Sequence, residues 1–100
     1  MSTPTYHAAL CISPDHPSLP GHFPGYPLVP GVVLLEQVAL ALRAWRDERL
    51  VRVVEAKFVA PLLPAEQAEL SLIENGARVR FEIRRGGELL ARGVIEGGSP

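Results

Sequence analysis

Two hydrophobic periods divide this 100-residue chain. From Val32 to Leu42 the residues are apolar nearly all round a helix, broken only by Glu36 and Gln37. A helix apolar on every side is a buried helix. Pro30 suits its first turn, where a missing N–H costs nothing. Arg43 to Arg49 is polar, and Asp47 and Glu48 would sit badly at the negative end of the helix dipole. The helix is therefore expected to end near Arg46. Further on the period falls to two. Val79, Phe81 and Ile83 alternate with Arg78, Arg80, Glu82 and Arg84, the pattern of a half-buried strand. Ala68, Leu70 and Leu72 share one face of a strand over Gln67–Glu74. Tyr6–Ile12, Val51–Ala60 and Leu89–Ile95 complete the predicted strands. Asn75–Gly76 and Gly86–Gly87 are hairpin turns, and Pro61–Ala65 is a longer turn. Gly97–Pro100 reads as a loose tail.

Between the first strand and the helix runs Ser13–Gly31, which contains six prolines. Each proline fixes φ and removes a backbone donor, so the segment is neither helix nor central strand. It also carries Leu19, Phe23, Tyr26, Leu28 and Val29, too apolar for a plain linker. A stiff loop that packs against something is expected. The element order is strand, long loop, buried helix, then an antiparallel meander. Only one sheet is available to cover a helix that is apolar all round. The reading is one α+β domain over residues 1–100, a curved antiparallel sheet wrapped around one central helix. A second copy would close the uncovered side.

Composition narrows the function. Hydrophobic residues make up 47% and charged residues 21%, a globular balance. The net charge of −1 argues against a nucleic-acid partner. The longest stretch free of charged residues, His16–Leu35, holds five prolines and is no membrane span. The single cysteine, Cys11, excludes an intrachain disulfide and a multi-cysteine zinc site. The N-terminal residues show no signal-peptide pattern, so a cytoplasmic location is expected.

Glu36 is the anomaly of the helix. Placed among Val33, Leu34, Leu35, Val38, Ala39 and Leu40, its carboxyl is expected to be desolvated, which favours the protonated form a general acid needs. The other reading is a helix-edge glutamate touching solvent or bonded to a loop. His22 lies in Gly21-His22-Phe23-Pro24-Gly25, a backbone stiffened by proline and opened by glycine. By itself it is a loop histidine or a base. His7 and His16 have no such context and read as structural. His16, His22 and Glu36 match no standard metal-ligand spacing, so no metal is expected. Gly31 opens the helix. Its N–H suits a carbonyl oxygen that gains charge, or is a plain helix start.

The run Gly21-His22-Phe23-Pro24-Gly25 through Pro30-Gly31 to Glu36 resembles the signature of the FabZ/FabA-type 3-hydroxyacyl-acyl carrier protein dehydratases, which have the hot-dog fold. Lys57-Phe58, followed by Pro61-Leu62-Leu63-Pro64, is similar to that family's strand and turn after the helix. The resemblance implies a cofactor-free dehydratase acting on a 3-hydroxyacyl thioester. The substrate would be carried on the phosphopantetheine of acyl carrier protein and the product would be the trans-2-enoyl thioester, in fatty acid or polyketide/polyene-type biosynthesis. It assigns His22 as base and Glu36 of the partner subunit as acid. The Gly31 N–H would polarise the thioester carbonyl, and the Leu28 carbonyl would orient the His22 ring. It also implies a homodimer or a dimer with a related hot-dog chain. The sequence departs from the pattern at Leu40, where the family has an amide, at Val29, where it has Met or Phe, and at Ala65-Glu66, where it has Gly and an acid.

A hot-dog thioesterase and a non-catalytic partner subunit of a dehydratase heterodimer are the alternatives. The presence of both His22 and Glu36 weighs against each of them. Arg43, Arg46, Arg49 and Arg52 recur every three residues. They form either a dock for an acidic carrier protein or a solvated helix end balanced by Asp47 and Glu48.

Overall fold

The structure is a computed structural model that describes residues 3–16 and 28–100. Its elements are β1 (Thr5–Leu10), α1 (Gly31–Arg46), β2 (Arg49–Phe58), β3 (Ala68–Asn75), β4 (Arg78–Arg85) and β5 (Glu88–Gly98). The strands form one antiparallel sheet in the order β1-β3-β4-β5-β2. The α+β architecture, with one helix against a five-stranded sheet, is the expected one.

The expected meander is correct only for β3, β4 and β5. β2 pairs with β5 at the far edge instead of with β3. The reason lies in the connections. Two-residue turns force β3–β4 and β4–β5 to be neighbours. The longer segment 59–67, with Pro61 and Pro64, carries the chain from one edge of the sheet to β3.

Strand boundaries also shift: β1 stops at Leu10 instead of Ile12, and β2 runs Arg49–Phe58 instead of Val51–Ala60. At the first hairpin Asn75 pairs with Arg78, so the turn is Gly76–Ala77, with Gly76 at φ +63°. The predicted tail is strand as far as Gly98, because Leu50 and Arg49 pair with Gly97 and Gly98. At the second hairpin Gly86 and Gly87 both take positive φ between the paired Arg85 and Glu88, as expected.

The period-two reading of β4 matches the packing. Val79, Phe81 and Ile83 are buried, while Arg78, Arg80 and Arg84 are exposed. They join Leu70 and Leu72 of β3 and Leu90 and Ile95 of β5 in one core. The helix contributes Val33, Leu34, Val38, Ala41 and Leu42 to that core. Burying a side chain of this size stabilises by about 1.5–3 kcal/mol.

The helix is not buried all round. Val32 and Leu40 are each 64% exposed, and Glu36 lies between them on the same stripe. A single sheet covers a single face, so the opposite face of a wholly apolar helix is left open.

α1 ends at Arg46, as expected. Asp47 takes the left-handed conformation (φ 54°), and its N–H donates to the Arg43 carbonyl. The last turn is fastened to the sheet. Trp45 stacks on Tyr6 of β1 with centroids 6.2 Å apart. The Arg46 guanidinium lies 4.1 Å over the Trp45 ring and 3.0 Å from Glu74 of β3. Pro30 is the N-cap, one position before its expected place in the first turn.

Candidate active site

The N-terminus of α1 is built by a chain of backbone contacts. Val29 donates its N–H to the Leu62 carbonyl at 2.9 Å, which ties the helix entry to the turn after β2. The Pro30 carbonyl accepts from Val33 at 3.0 Å and Leu34 at 3.4 Å. The N–H groups of Gly31 and Val32 stand in the turn ahead of those bonds, and among the described residues no side chain caps this helix end. The positive end of the helix dipole is therefore presented with backbone donors.

Gly31 and Leu28 line a cleft of about 380 Å³, walled by Pro30, Leu34, Phe58 and Val59. The ring of Phe58 passes so close that a Cβ on residue 31 would stand 2.9 Å from its Cζ. Only glycine leaves the backbone open at this point. The far wall is the turn of residues 61–66. Arg85 of β4 holds that turn by donating to the Pro61 carbonyl at 3.0 Å and to Glu66 Oε1 at 2.8 Å. Glu66 in turn accepts from the Leu63 N–H at 2.8 Å. That backbone donor, and then Arg85, hold the Glu66 carboxyl below its usual pKa. The Arg85 guanidinium is pushed up by Glu88 and Glu66.

Glu36 is not in this cleft. It lines a separate groove of about 550 Å³ with His16, Gln37, Leu40, Arg43 and Glu48. Glu36 lies five positions after Gly31 along the helix, which puts them about 140° apart around the axis. The Glu36 side chain is 55% exposed, which corrects the expectation of a carboxyl desolvated by its own chain. Its apolar sequence neighbours either turn inward to the core or flank it on the open face.

His16 stands beside it, with Nε2 3.6 Å from Glu36 Oε1. The reading of His16 as structural missed this pair. Its sequence neighbours offer one signal, a Ser-Pro-Asp turn that sends the chain back after β1. His22 lies outside the described residues, as does any contact between its ring and the Leu28 carbonyl. Among the described residues no group of three His, Cys, Asp or Glu side chains is arranged to hold a metal ion.

The expected arginine stripe is largely committed to partners within the chain. Arg43 pairs with Asp47 at 2.8 Å, Arg46 with Glu74, and Arg52 with Glu96 at 3.6 Å. Among the described residues no helix is long and apolar enough to cross a membrane.

A curated 3-hydroxyacyl-acyl-carrier-protein dehydratase FabZ from Haemophilus influenzae is 38% identical over 71 residues, covering 61% of this chain and 48% of the relative. The protein of the same name from Chlamydia trachomatis is 32% identical over 97 residues, covering 81% and 63%. The chain spans about half to two thirds of the length of these relatives.

Among solved structures, the dehydratase heterocomplex ApeI:P from Xenorhabdus doucetiae superposes with a TM-score of 0.82. It has 21% identity over 96% of this chain and 88% of that one. An uncharacterized protein from Erwinia carotovora gives 0.78 with 26% identity, covering 95% and 83%. The fluoroacetyl-CoA thioesterase FlK gives 0.65 at 10% identity, covering 95% of this chain and 90% of that one. These likenesses establish the hot-dog fold. The family model of the ApeI-like dehydratases matches residues 2–94, and the chain belongs to that family.

Proposed function

We propose that this protein is a dehydratase that removes water from a 3-hydroxyacyl thioester, delivered on acyl carrier protein, to give the trans-2-enoyl thioester. The observation that carries the reading is the separation of two chemistries on one helix. The helix N-terminus at Gly31 faces one cleft, and the only carboxylate of the helix, Glu36, opens on the uncovered face. A single chain does not bring them to one substrate. Two chains packed on the open face would let the acid of one serve the cleft of the other. Val32 and Leu40 flank Glu36 there, and the exposed Val51 and Val53 of edge strand β2 extend the apolar surface.

In that assembly His22 takes the C2 proton and the Gly31 N–H stabilises the charge that gathers on the thioester oxygen. The Leu28 carbonyl holds the His22 ring in one tautomer. Glu36 of the partner subunit gives its proton to the departing C3 hydroxyl, which leaves as water. Packing on the open face would bring Glu36 to the cleft of the other chain. The reaction needs no metal or organic cofactor. The partner is a second copy of this chain or a related hot-dog chain. The X. doucetiae heterocomplex, which shares the fold, favours the related chain as the second reading.

The test is a hydration–dehydration assay. Short enoyl and 3-hydroxyacyl thioesters on a carrier protein are incubated with the protein, and water gain or loss is followed by mass spectrometry. Interconversion by wild type, lost in His22→Ala and Glu36→Gln, supports the reading. Release of free thiol without change in the acyl chain supports a thioesterase instead. Activity that appears only after a second hot-dog chain is added supports the heterodimer.

A further inference from the structure

The dehydratase cycle proposed above leaves Glu36 as a carboxylate, because its proton departs with the water. The acid must be reloaded before the next turnover, and the structure holds a group beside it that can do this. Ile12 is buried in the core, and its carbonyl accepts the Ala65 N–H at 2.8 Å, which anchors the chain as it leaves β1. Ser13 then starts a tight turn. Its hydroxyl accepts the Asp15 N–H at 3.1 Å and its carbonyl accepts the His16 N–H at 3.0 Å.

The turn delivers the His16 imidazole to Glu36, Nε2 to Oε1 3.6 Å. The His16 side chain is only 23% exposed, less than half the exposure of its partner. The two share a groove of about 550 Å³ that opens to solvent. Imidazole is the side chain whose proton exchanges nearest neutral pH.

Resting on the dehydratase reading, we propose that His16 is a proton-relay residue that acts through Glu36 and returns it to its protonated form after each turnover. In the step the N–H bond at Nε2 breaks and an O–H bond forms at Oε1. The imidazolium becomes neutral imidazole and the carboxylate becomes a carboxyl. His16 then takes a proton from water in the open groove, and His22 releases the C2 proton to solvent, so the cycle closes with no net proton. Glu48 at the end of the helix, Arg43 of α1 and Arg49 of β2 are the other charged groups that line the groove. The charge of Arg43 is offset by Asp47 at 2.8 Å.

The experiment compares wild type, His16→Ala and His16→Gln in the thioester assay, with and without added imidazole, after circular dichroism has checked that each is folded. Glutamine offers Glu36 a polar N–H of similar reach but carries no exchangeable charge. The expected result is a fall in kcat of about tenfold or more in both variants, with KM unchanged and with imidazole restoring the alanine variant. Wild-type kcat in His16→Ala overturns the relay. So does a loss that glutamine repairs and imidazole does not, which would make His16 a purely geometric support.

A second readout does not depend on activity. The His16 ring resonances are recorded by NMR in wild type and in Glu36→Gln. Removing the carboxylate 3.6 Å away should shift them, and unchanged resonances overturn the pairing itself. A wild type inert on every thioester, both alone and with a related hot-dog chain added, overturns the dehydratase reading and the relay step with it. The NMR result then decides separately whether the pair exists.

Discussion

The Phe58 ring of β2 lies across the backbone of Gly31 at the first position of α1, so that a Cβ on residue 31 would stand 2.9 Å from the ring. Phe58 is itself half exposed, so the ring has room to swing. Gly31→Ala should therefore cost little stability, since alanine is intrinsically favoured over glycine in a helix by up to about 1 kcal/mol. The displaced ring and added methyl would instead enter the cleft in front of the Gly31 N–H. The expected outcome is a melting temperature within a few degrees of wild type with at least about tenfold lower kcat. Thermal melts and the thioester assay on one preparation check it. An active Gly31→Ala protein would remove this N–H from the mechanism.

The turn that forms the far wall of the cleft predicts a pH effect. The Glu66 carboxyl is held below its usual pKa by the Leu63 N–H and then by Arg85. Its folded pKa lies below its unfolded one, so the unfolded state binds the proton more readily as pH falls. The stabilisation is present above the ordinary carboxylate range and is lost as pH drops through the folded value. Urea unfolding from neutral pH to about pH 3 should show wild type more stable than Glu66→Gln at the start, with the gap closing below about pH 4. A gap that is constant with pH would mean that the charge of Glu66 is not what holds the turn.

Ala65 shows how a departure in sequence becomes legible in three dimensions. The resemblance places glycine here, and the structure puts Ala65 at φ +71° with its N–H on the Ile12 carbonyl. A residue with a Cβ pays about 1–2 kcal/mol in that region. Glycine avoids the strain but loses about 0.5–1 kcal/mol more conformational entropy on folding. Ala65→Gly should raise the melting temperature by about 2–4 °C, and Ala65→Val, with a branched Cβ, should lower it by more. Two melting curves decide the matter, and a fall in Ala65→Gly would contradict the strain.

Much of this architecture was legible because it is local. The alternation at Val79, Phe81 and Ile83 reports burial directly, since the side-chain period of a strand is two. The helix stop at Arg46 follows from charges that oppose the dipole. The place of β2 was not legible, because a strand pattern does not say which neighbour it will pair with. Gly97 and Gly98 carry no β signal and are strand only because Leu50 and Arg49 are opposite them. In the site, Gly31 and Glu36 stood out as residue types at odds with their surroundings. Which side of the helix the sheet covers, and hence that Glu36 faces outward, depends on the whole core. His16 meets Glu36 across the loop through a turn, and no periodicity marks such a contact.

The open face of the helix and the edge strand carry the last prediction. β2 closes one side of the sheet, and Val51 and Val53 are exposed on it at 52% and 38%. A long edge strand with exposed valines invites pairing with another chain. In the separate chain Val53→Lys removes little buried area, so each folded unit should keep its circular dichroism. In an assembly the same change places a charge in a desolvated contact, which costs several times more. Light scattering on a sizing column should find wild type at twice the mass of the chain, or joined to a related hot-dog chain, and Val53→Lys at the single-chain mass. Dehydration should fall in parallel even though Glu36, His22 and Gly31 are untouched, because each acid would have lost the cleft it serves. A Val53→Lys protein that is monomeric and fully active would place the acid and the cleft of one chain in one site, against the geometry of α1.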